Sequence, residues 1–271
     1  MMGSIDLHVH STASDGTLTP AEIVDMAERR AIEVIALTDH DTVAGVDEAL
    51  ERAAGTRVRV IPGVEISADD EGVQAHVLGY FINHTHASLV SELHRFSEAR
   101  LDRAYCILEK LHALGISLPS EQLGDEMQGG AVGRPHIARL LMQEGYVASI
   151  EEAFGRYLNH GQKAYVPRAK ISASDAIEMI HGAQGLAVLA HPWSILFLVE
   201  PLVGQGLDGL EVFYRDYDAC QQGRLARLAQ EYGLFLTGGS DYHGPGRKAP
   251  SLGEVRVPLE CLAAMDGRYG N

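Results

Sequence analysis

The sequence predicts an α/β fold in which parallel strands deliver metal-ligating side chains to one rim. Three observations lead there. Short apolar runs alternate with amphipathic helical stretches; most of the runs end in His, Asp or Glu; and between about 84 and 164 the alternation gives way to helical patterning alone. Residues 1–83 and 165–271 then form one α/β unit, with 84–164 as an inserted helical subdomain capping it. A chain of 271 residues is long enough to bury the core such a domain needs.

The run Ile5-Asp6-Leu7-His8-Val9-His10 alternates as a strand does, so His8 and His10 share a face and both imidazoles reach one point beyond its end. In the loop that follows, Asp15 offers a carboxylate to a neighbouring ion and Gly16 lets the backbone turn. A helix over 17–30 is announced by Thr19 as N-cap, Pro20 at the first helical position and Glu22 completing a capping box. An apolar strand over 33–38 ends in Asp39-His40-Asp41, where parallel folds place their sites. A helix over 43–54 and a strand over 58–61 follow, and Pro62-Gly63-Val64-Glu65 sets a carboxylate just beyond that strand. The strand over 73–81 carries His76.

The inserted part reads as a long helix over 88–114 closed by Gly115, a link over 124–133 containing Gly129-Gly130, and shorter helices over 135–144 and 150–158. Alternation resumes with a helix over 172–183 and a strand over 185–190 that ends in His191-Pro192. Next come a strand over 207–213 with Glu211 inside it, a helix over 220–232, and a strand over 234–237. That strand leads into Gly238-Gly239-Ser240-Asp241-Tyr242-His243, where glycines allow a sharp turn presenting Asp241 and His243 together. A last strand is expected over 255–257.

The balance of 22 basic against 37 acidic residues, a net charge of −15, disfavours a long nucleic-acid partner. The sequence lacks an apolar run of the roughly 18 to 20 residues that cross a bilayer, and its start has no signal-peptide pattern. The expectation is a cytoplasmic protein without a membrane partner. Cys106, Cys220 and Cys261 are odd in number and far apart, which argues against disulfides or a thiolate zinc site and predicts buried small hydrophobes.

The candidate ligands are His8, His10, Asp15, His40, Glu65, His76, His191, Asp241 and His243. Six imidazoles and three carboxylates exceed what one ion uses, so two or three divalent ions are implied. Mixed nitrogen and oxygen donors suit zinc, manganese or ferrous iron alike. His84, His86, His94, His112, His160 and His181 lack this context and are expected at the surface or hydrogen-bonded. Glu211 is expected to support ligands rather than to be one, and Asp39 and Asp41 to orient His40.

At these residues the chain resembles the PHP (polymerase and histidinol phosphatase) family of the amidohydrolase superfamily. The resemblance rests on His8-Val9-His10-Ser11 with Asp15-Gly16, Thr38-Asp39-His40-Asp41, Pro62-Gly63-Val64-Glu65, His76, Ala190-His191-Pro192 and Ser240-Asp241-Tyr242-His243. It implies a distorted (β/α)7 TIM-like barrel with a trinuclear centre: His8, His10, Glu65 and Asp241 at the first ion; Glu65 as bridge with His76 and His191 at the second; Asp15, His40 and His243 at the third. Some family members carry a histidine where Asp15 stands, which implies a more weakly held third ion here. Manganese is the expected metal, with zinc or iron as alternatives, and Asp15, His191 and Asp241 are the ligands expected to take part in the chemistry.

Within that family, Gly133-Arg134-Pro135-His136-Ile137-Ala138-Arg139 and Lys163-Ala164-Tyr165-Val166-Pro167-Arg168 are most similar to the branch acting on nucleotides. The expected reaction removes the 3′-phosphate of a nucleoside 3′,5′-bisphosphate, such as adenosine 3′,5′-bisphosphate, to give AMP and phosphate. Arg134, His136, Lys163, Tyr165 and Arg168 are the expected substrate-binding residues, Arg134 gripping a phosphate at a helix start. His191, His136 and a metal-bound water all stay open as the proton donor to the leaving oxygen. The alternative is 5′-to-3′ trimming of very short RNA. An inactive metal-binding scaffold is the reading from another class, and nine filled ligand positions weigh against it.

Overall fold

Seven strands, hydrogen-bonded in chain order, curl until the first meets the last. They are β1 (Ser4–Val9), β2 (Ile32–Leu37), β3 (Arg59–Asp70), β4 (Val73–Tyr80), β5 (Leu186–Leu189), β6 (Gly209–Tyr214) and β7 (Phe235–Gly239). The computed structural model describes residues 4–70, 72–119, 133–167, 171–245 and 251–269. Beyond the end of β7 the backbone N–H of His10 donates to the Tyr242 carbonyl at 2.9 Å, in a parallel bridge between Val9 and Tyr242 that nearly closes the barrel. The architecture is the expected distorted α/β barrel of seven strands, with one difference: β4 pairs antiparallel with both β3 and β5, while the other pairs are parallel.

That reversal explains a correction to β3. The sequence reading stops this strand at residue 61 because Pro62 and Gly63 punctuate it, whereas the strand runs on to Asp70 with Glu65 inside it. Arg59 to Pro62 pair with β2, and from Gly63 onward the strand pairs with β4. The dipeptide is therefore where one strand changes neighbours, a position at which proline and glycine are tolerated.

Helix α1 (Pro20–Arg29) starts as expected, with Thr19 and Glu22 exchanging both bonds of the capping box. Together with α2 (Val46–Ala53) it covers β1 to β3 through Ile23, Val24, Ala27 and Ala49. Helix α3 (Ala87–Ala113) belongs to two cores. Leu89 and Leu93 pack with α6 (Ala173–Gly182) on the outside of the barrel, whereas Ala104, Ile107 and Leu111 join α4 (Arg134–Gln143) and α5 (Ile150–Ala153) in a separate helical core that includes Leu158 and Ala164. Helix α7 (Val199–Val203) and α8 (Ala219–Tyr232) complete the outer layer beside β5 to β7.

No strand forms over 255–257. Val257 instead packs into the barrel interior with Cys261, Leu262 and Met265 of α9 (Leu259–Tyr269), a helix the sequence reading does not contain. The apolar spacing of 255 and 257 reflects this plug. Cysteine burial holds only for Cys261, since Cys106 on α3 and Cys220 on α8 are exposed. Among the described residues no helix is long and apolar enough to cross a membrane.

Candidate metal centre

One rim of the barrel gathers all nine ligand candidates. A register shift against β2 between Asp6 and Val9 re-aims β1, so that Leu7 lies in the interior core and Val9 under α1 while His8 and His10 face the rim. In the antiparallel pair, Ser67 stands opposite His76, and Glu65 two residues away shares their face. The carboxylate of Glu65 is divided between two groups. Its Oε2 lies 3.3 Å from His8 Nε2, 3.3 Å from His10 Nε2 and 3.0 Å from His40 Nδ1, while Oε1 lies 2.9 Å from His76 Nδ1 and 3.4 Å from His191 Nε2. Asp241 Oδ1 is 3.5 Å from His8 Nε2 and 3.2 Å from His10 Nε2, and Asp15 Oδ1 is 3.0 Å from His243 Nε2.

These atoms fit divalent cations on their own chemistry. His8 Nε2, His10 Nε2, His40 Nδ1 and Glu65 Oε2 are buried and have no hydrogen-bond partner although they crowd one another. Donor atoms of His8, His10 and Glu65, of His40, Glu65 and His76, and of His10, Asp15, His40 and His243 form three mutually close sets. Three sets sharing His10, His40 and Glu65 are what adjacent ions with a bridging carboxylate require.

Charge balance points the same way. Burial acts to raise Glu65, but the His40, His76 and His8 imidazoles together outweigh it and hold the carboxyl well below its usual range. Asp15 and Asp241 are likewise held low against burial, His243 being the main opposing neighbour of each. Burial alone would lower His10, yet Asp241 and Glu65 push it up to about 10; His8 rises under Glu211, Glu65 and Asp241. His40 goes the other way, to about 4, because burial dominates and His10 repels it. The carboxylates thus hold positive charge on buried imidazoles, charge that bound cations would supply instead.

A surrounding network fixes these side chains. Glu211, as expected, supports ligands: Oε1 meets His8 Nδ1 at 2.9 Å and Oε2 accepts the His191 backbone N–H at 2.8 Å. The sequence reading misses Asp6, Tyr214 and Arg215 among the other supports. Asp6 accepts from the Ser240 N–H, the Ser240 hydroxyl and the Gly253 N–H, tying β1 to the turn after β7. The Tyr214 hydroxyl donates to Asp241 Oδ2 at 3.0 Å, and Arg215 contacts the same oxygen at 3.2 Å and the Asp241 carbonyl at 3.1 Å. Asp39 fastens the Ser11–Ser14 loop through the Ser11 N–H and both serine hydroxyls, and so serves the loop, not His40. Asp41 accepts the Ser67 N–H and pairs with Arg100.

The backbone is strained where the ligands turn. Asp41, His191 and Asp241 have φ of 52°, 30° and 51°, a region non-glycine residues seldom occupy, and such strain gathers at functional sites. Gly239 is needed for a different reason than turning: a Cβ there would stand 2.4 Å from the His8 backbone N and Cβ.

The candidate substrate residues separate. Arg134 lines a cavity of about 140 Å³ together with Asp15, His40 and His76. Tyr165 faces a neighbouring cavity that Arg134 also lines. His136 lines neither: its Nδ1 accepts the Gly133 N–H at 3.0 Å, the Ser14 backbone is its other partner, and burial with Arg139 nearby lowers it to about 4. A neutral His136 therefore clamps α4 to the loop bearing Asp15. Lys163 is exposed and lines neither cavity, and Arg168 and the link over 124–132 lie outside the described residues. The reading also misses Arg100 and Arg103, which line the first cavity from α3. Their signal was an i, i+3 pair of arginines on a helix, indistinguishable from solvated surface until the partner face is known.

Comparison with known proteins decides the family. The model of the PHP domain matches residues 6–167. The chain belongs to the PHP family. This PHP chain is 39% identical over 254 residues to a 5′-3′ exoribonuclease of Haemophilus influenzae, covering 90% of the chain and 92% of that protein. It is 35% identical over 273 residues to a 3′,5′-nucleoside bisphosphate phosphatase of Chromobacterium violaceum, covering 96% of the chain and 94% of that protein. The solved structure of a putative metal-dependent phosphoesterase of Bifidobacterium adolescentis superposes with a TM-score of 0.90 at 30% identity, covering 99% of this chain and 97% of that one. Metal-dependent phosphoester hydrolysis is therefore the general chemistry of this PHP chain.

Proposed function

We propose that this protein removes the 3′-phosphate from nucleoside 3′,5′-bisphosphates, giving a 5′-mononucleotide and phosphate. The observation that carries the reading is that one cavity joins Asp15, His40 and His76 on its barrel side to Arg134 on its helical side. Such a cavity suits a small ligand with two anionic groups. His8, His10, Glu65 and Asp241 would hold one ion, Glu65, His76 and His191 a second, and Asp15, His40 and His243 a third. Bound divalent ions supply an activated water and neutralise charge on the phosphoryl oxygens. The chain's own part is to hold Asp241 by Tyr214 and Arg215, to hold His8 and the His191 backbone by Glu211, and to close the Asp15 loop by His136. Both ring nitrogens of His136 are engaged, so the proton for the departing 3′-oxygen comes from the cluster side of the cavity.

The 39% identity to an exoribonuclease favours a second reading, release of 5′-nucleotides from very short RNA. Both reactions break the bond between phosphorus and a ribose 3′-oxygen and differ only in whether that phosphorus also bears another nucleotide. Competition decides between them. Manganese-loaded protein is offered equal amounts of adenosine 3′,5′-bisphosphate and a 5′-phosphorylated trinucleotide, with products separated by chromatography. The proposal expects the bisphosphate to be consumed first, with AMP accumulating intact; preferential loss of the trinucleotide would replace it with the exonuclease.

A further inference from the structure

Asp15 is a metal ligand held by two parts of the molecule at once. On the barrel side, Asp39 binds the Ser11 N–H and the Ser11 and Ser14 hydroxyls, and the Thr17 N–H donates to the His243 carbonyl at 3.0 Å. A Cβ at Gly16 would stand 2.6 Å from the His10 carbonyl oxygen, so the loop lies directly on the end of β1. The helical subdomain holds the same loop from its own side. At the start of α4 the Gly133 N–H donates to His136 Nδ1 at 3.0 Å, which leaves the ring proton on Nε2 to meet the Ser14 backbone. Three residues on, Arg139 donates to the Asp15 carbonyl at 3.4 Å. Residues at i and i+3 share a helix edge, so both contacts belong to one edge of α4, while Ile137 and Leu141 pack the helix into its own core. By contrast, His8, His191 and Asp241 are braced from within the barrel by Glu211, Tyr214 and Arg215.

We infer that His136 and Arg139 are positioning residues for the third ion, so that docking of the helical subdomain and completion of the metal centre are one event. The inference deepens the function proposed above and rests on its assignment of Asp15, His40 and His243 to that ion, not on its substrate. The two contacts fix the backbone at Asp15 and at the residue before it, and only two side-chain torsions separate that backbone from the carboxylate. Asp15 Oδ1 lies 3.0 Å from His243 Nε2, in one donor set with His10 and His40. A shift of the loop by about 1 Å would take the carboxylate out of that set. Helix α4 also lines the cavity through Pro135 and Ile137, so the helix that shapes the substrate space sets the third ion as well. A hierarchy follows: the ions held by barrel residues bind whether or not α4 is docked, and the third does not.

The test counts metal. Stripped protein is dialysed against buffered manganese and its bound ions are measured by elemental analysis, with a melting curve to show that each variant is folded. Wild type is expected to bind a weakest equivalent that Asp15→Asn lacks. His136→Asn keeps an acceptor for the Gly133 N–H but is too short to reach Ser14. That variant and Arg139→Gln should each weaken the Asp15-dependent equivalent about 10- to 100-fold and leave the tighter ones unchanged. Arg139→Lys should recover part of the loss. In an Asp15→Asn background neither substitution should change metal binding further, because both act through Asp15. Weakening of all equivalents together, a further loss in the Asp15→Asn background, or unchanged binding in folded Arg139→Gln and His136→Asn would overturn the inference. A wild type without the Asp15-dependent equivalent would remove the third ion itself, and the inference with it. If that equivalent depends on Arg139 while wild-type protein leaves adenosine 3′,5′-bisphosphate intact, the positioning residues stand and the proposed phosphatase falls.

Discussion

On the barrel side of the cavity, six imidazoles and three carboxylates crowd one another, each held by a neighbour of opposite charge or by a buried support such as Glu211 or Asp6. On the helical side, Arg103 and Arg134 face the same space with carbonyls and an aromatic ring for company. The first wall sets imidazoles against carboxylates in donor sets that suit cations, and the second presents guanidiniums to the same cavity and suits an anion. The difference teaches that the ligand of this cavity is specified from two directions, by metal chemistry at the strand ends and by uncompensated charge on the helices.

The comparison breaks most visibly at the metal wall. Asp241→Ala removes a carboxylate shared by His8 and His10, and phosphate release should fall by about 10⁴-fold or more, with bound metal lost by elemental analysis. Gly239→Ala places a methyl group 2.4 Å from His8. It should cost about 3 kcal/mol in denaturant unfolding, the upper range for overpacking. Glu211→Gln keeps the shape but loses the charge against His8, and metal affinity measured by chelator competition should weaken by about 10- to 100-fold.

A smaller effect sharpens the link between the walls. His136 is lowered to about 4 in the folded protein from an ordinary value of 6.5, chiefly by burial. Between those values the unfolded chain carries a proton the folded chain does not, so this group favours folding above pH 6.5 and progressively disfavours it as pH falls toward 4. Its contribution should cost about 2 kcal/mol between pH 7 and pH 5. Stability measured across that range should fall less steeply in His136→Gln than in the wild type, and parallel slopes would show that the clamp does not titrate.

Much of the metal wall was legible because its ligands sit in short motifs at strand ends, where local periodicity fixes direction: His8 and His10 at i, i+2 had to share a face. Glu65 stands out in the sequence as a carboxylate just past a strand end, whereas Pro62-Gly63 marks a change of neighbour and not the end of β3. The antiparallel return of β4 was hidden for the same cause, as alternation shows a strand without showing its direction of pairing. The basic wall was mostly illegible. Arg134 stood out beside Pro135 and His136, but Arg100 and Arg103 acquire meaning only from the face of α3 that meets the barrel, and Asp6, Tyr214 and Arg215 only from contacts across more than twenty residues of chain. Helix α9 has no counterpart in the sequence reading, which expects a strand over 255–257 because Val255 and Val257 alternate, although both pack into the plug of the barrel interior.

The most direct measurement is a titration of metal-stripped protein with manganese, following phosphate release from adenosine 3′,5′-bisphosphate against equivalents added. The account predicts negligible release at the start, a rise that levels off at two to three equivalents, and AMP as the nucleotide product. Release from the stripped protein at the rate of the loaded one would contradict it.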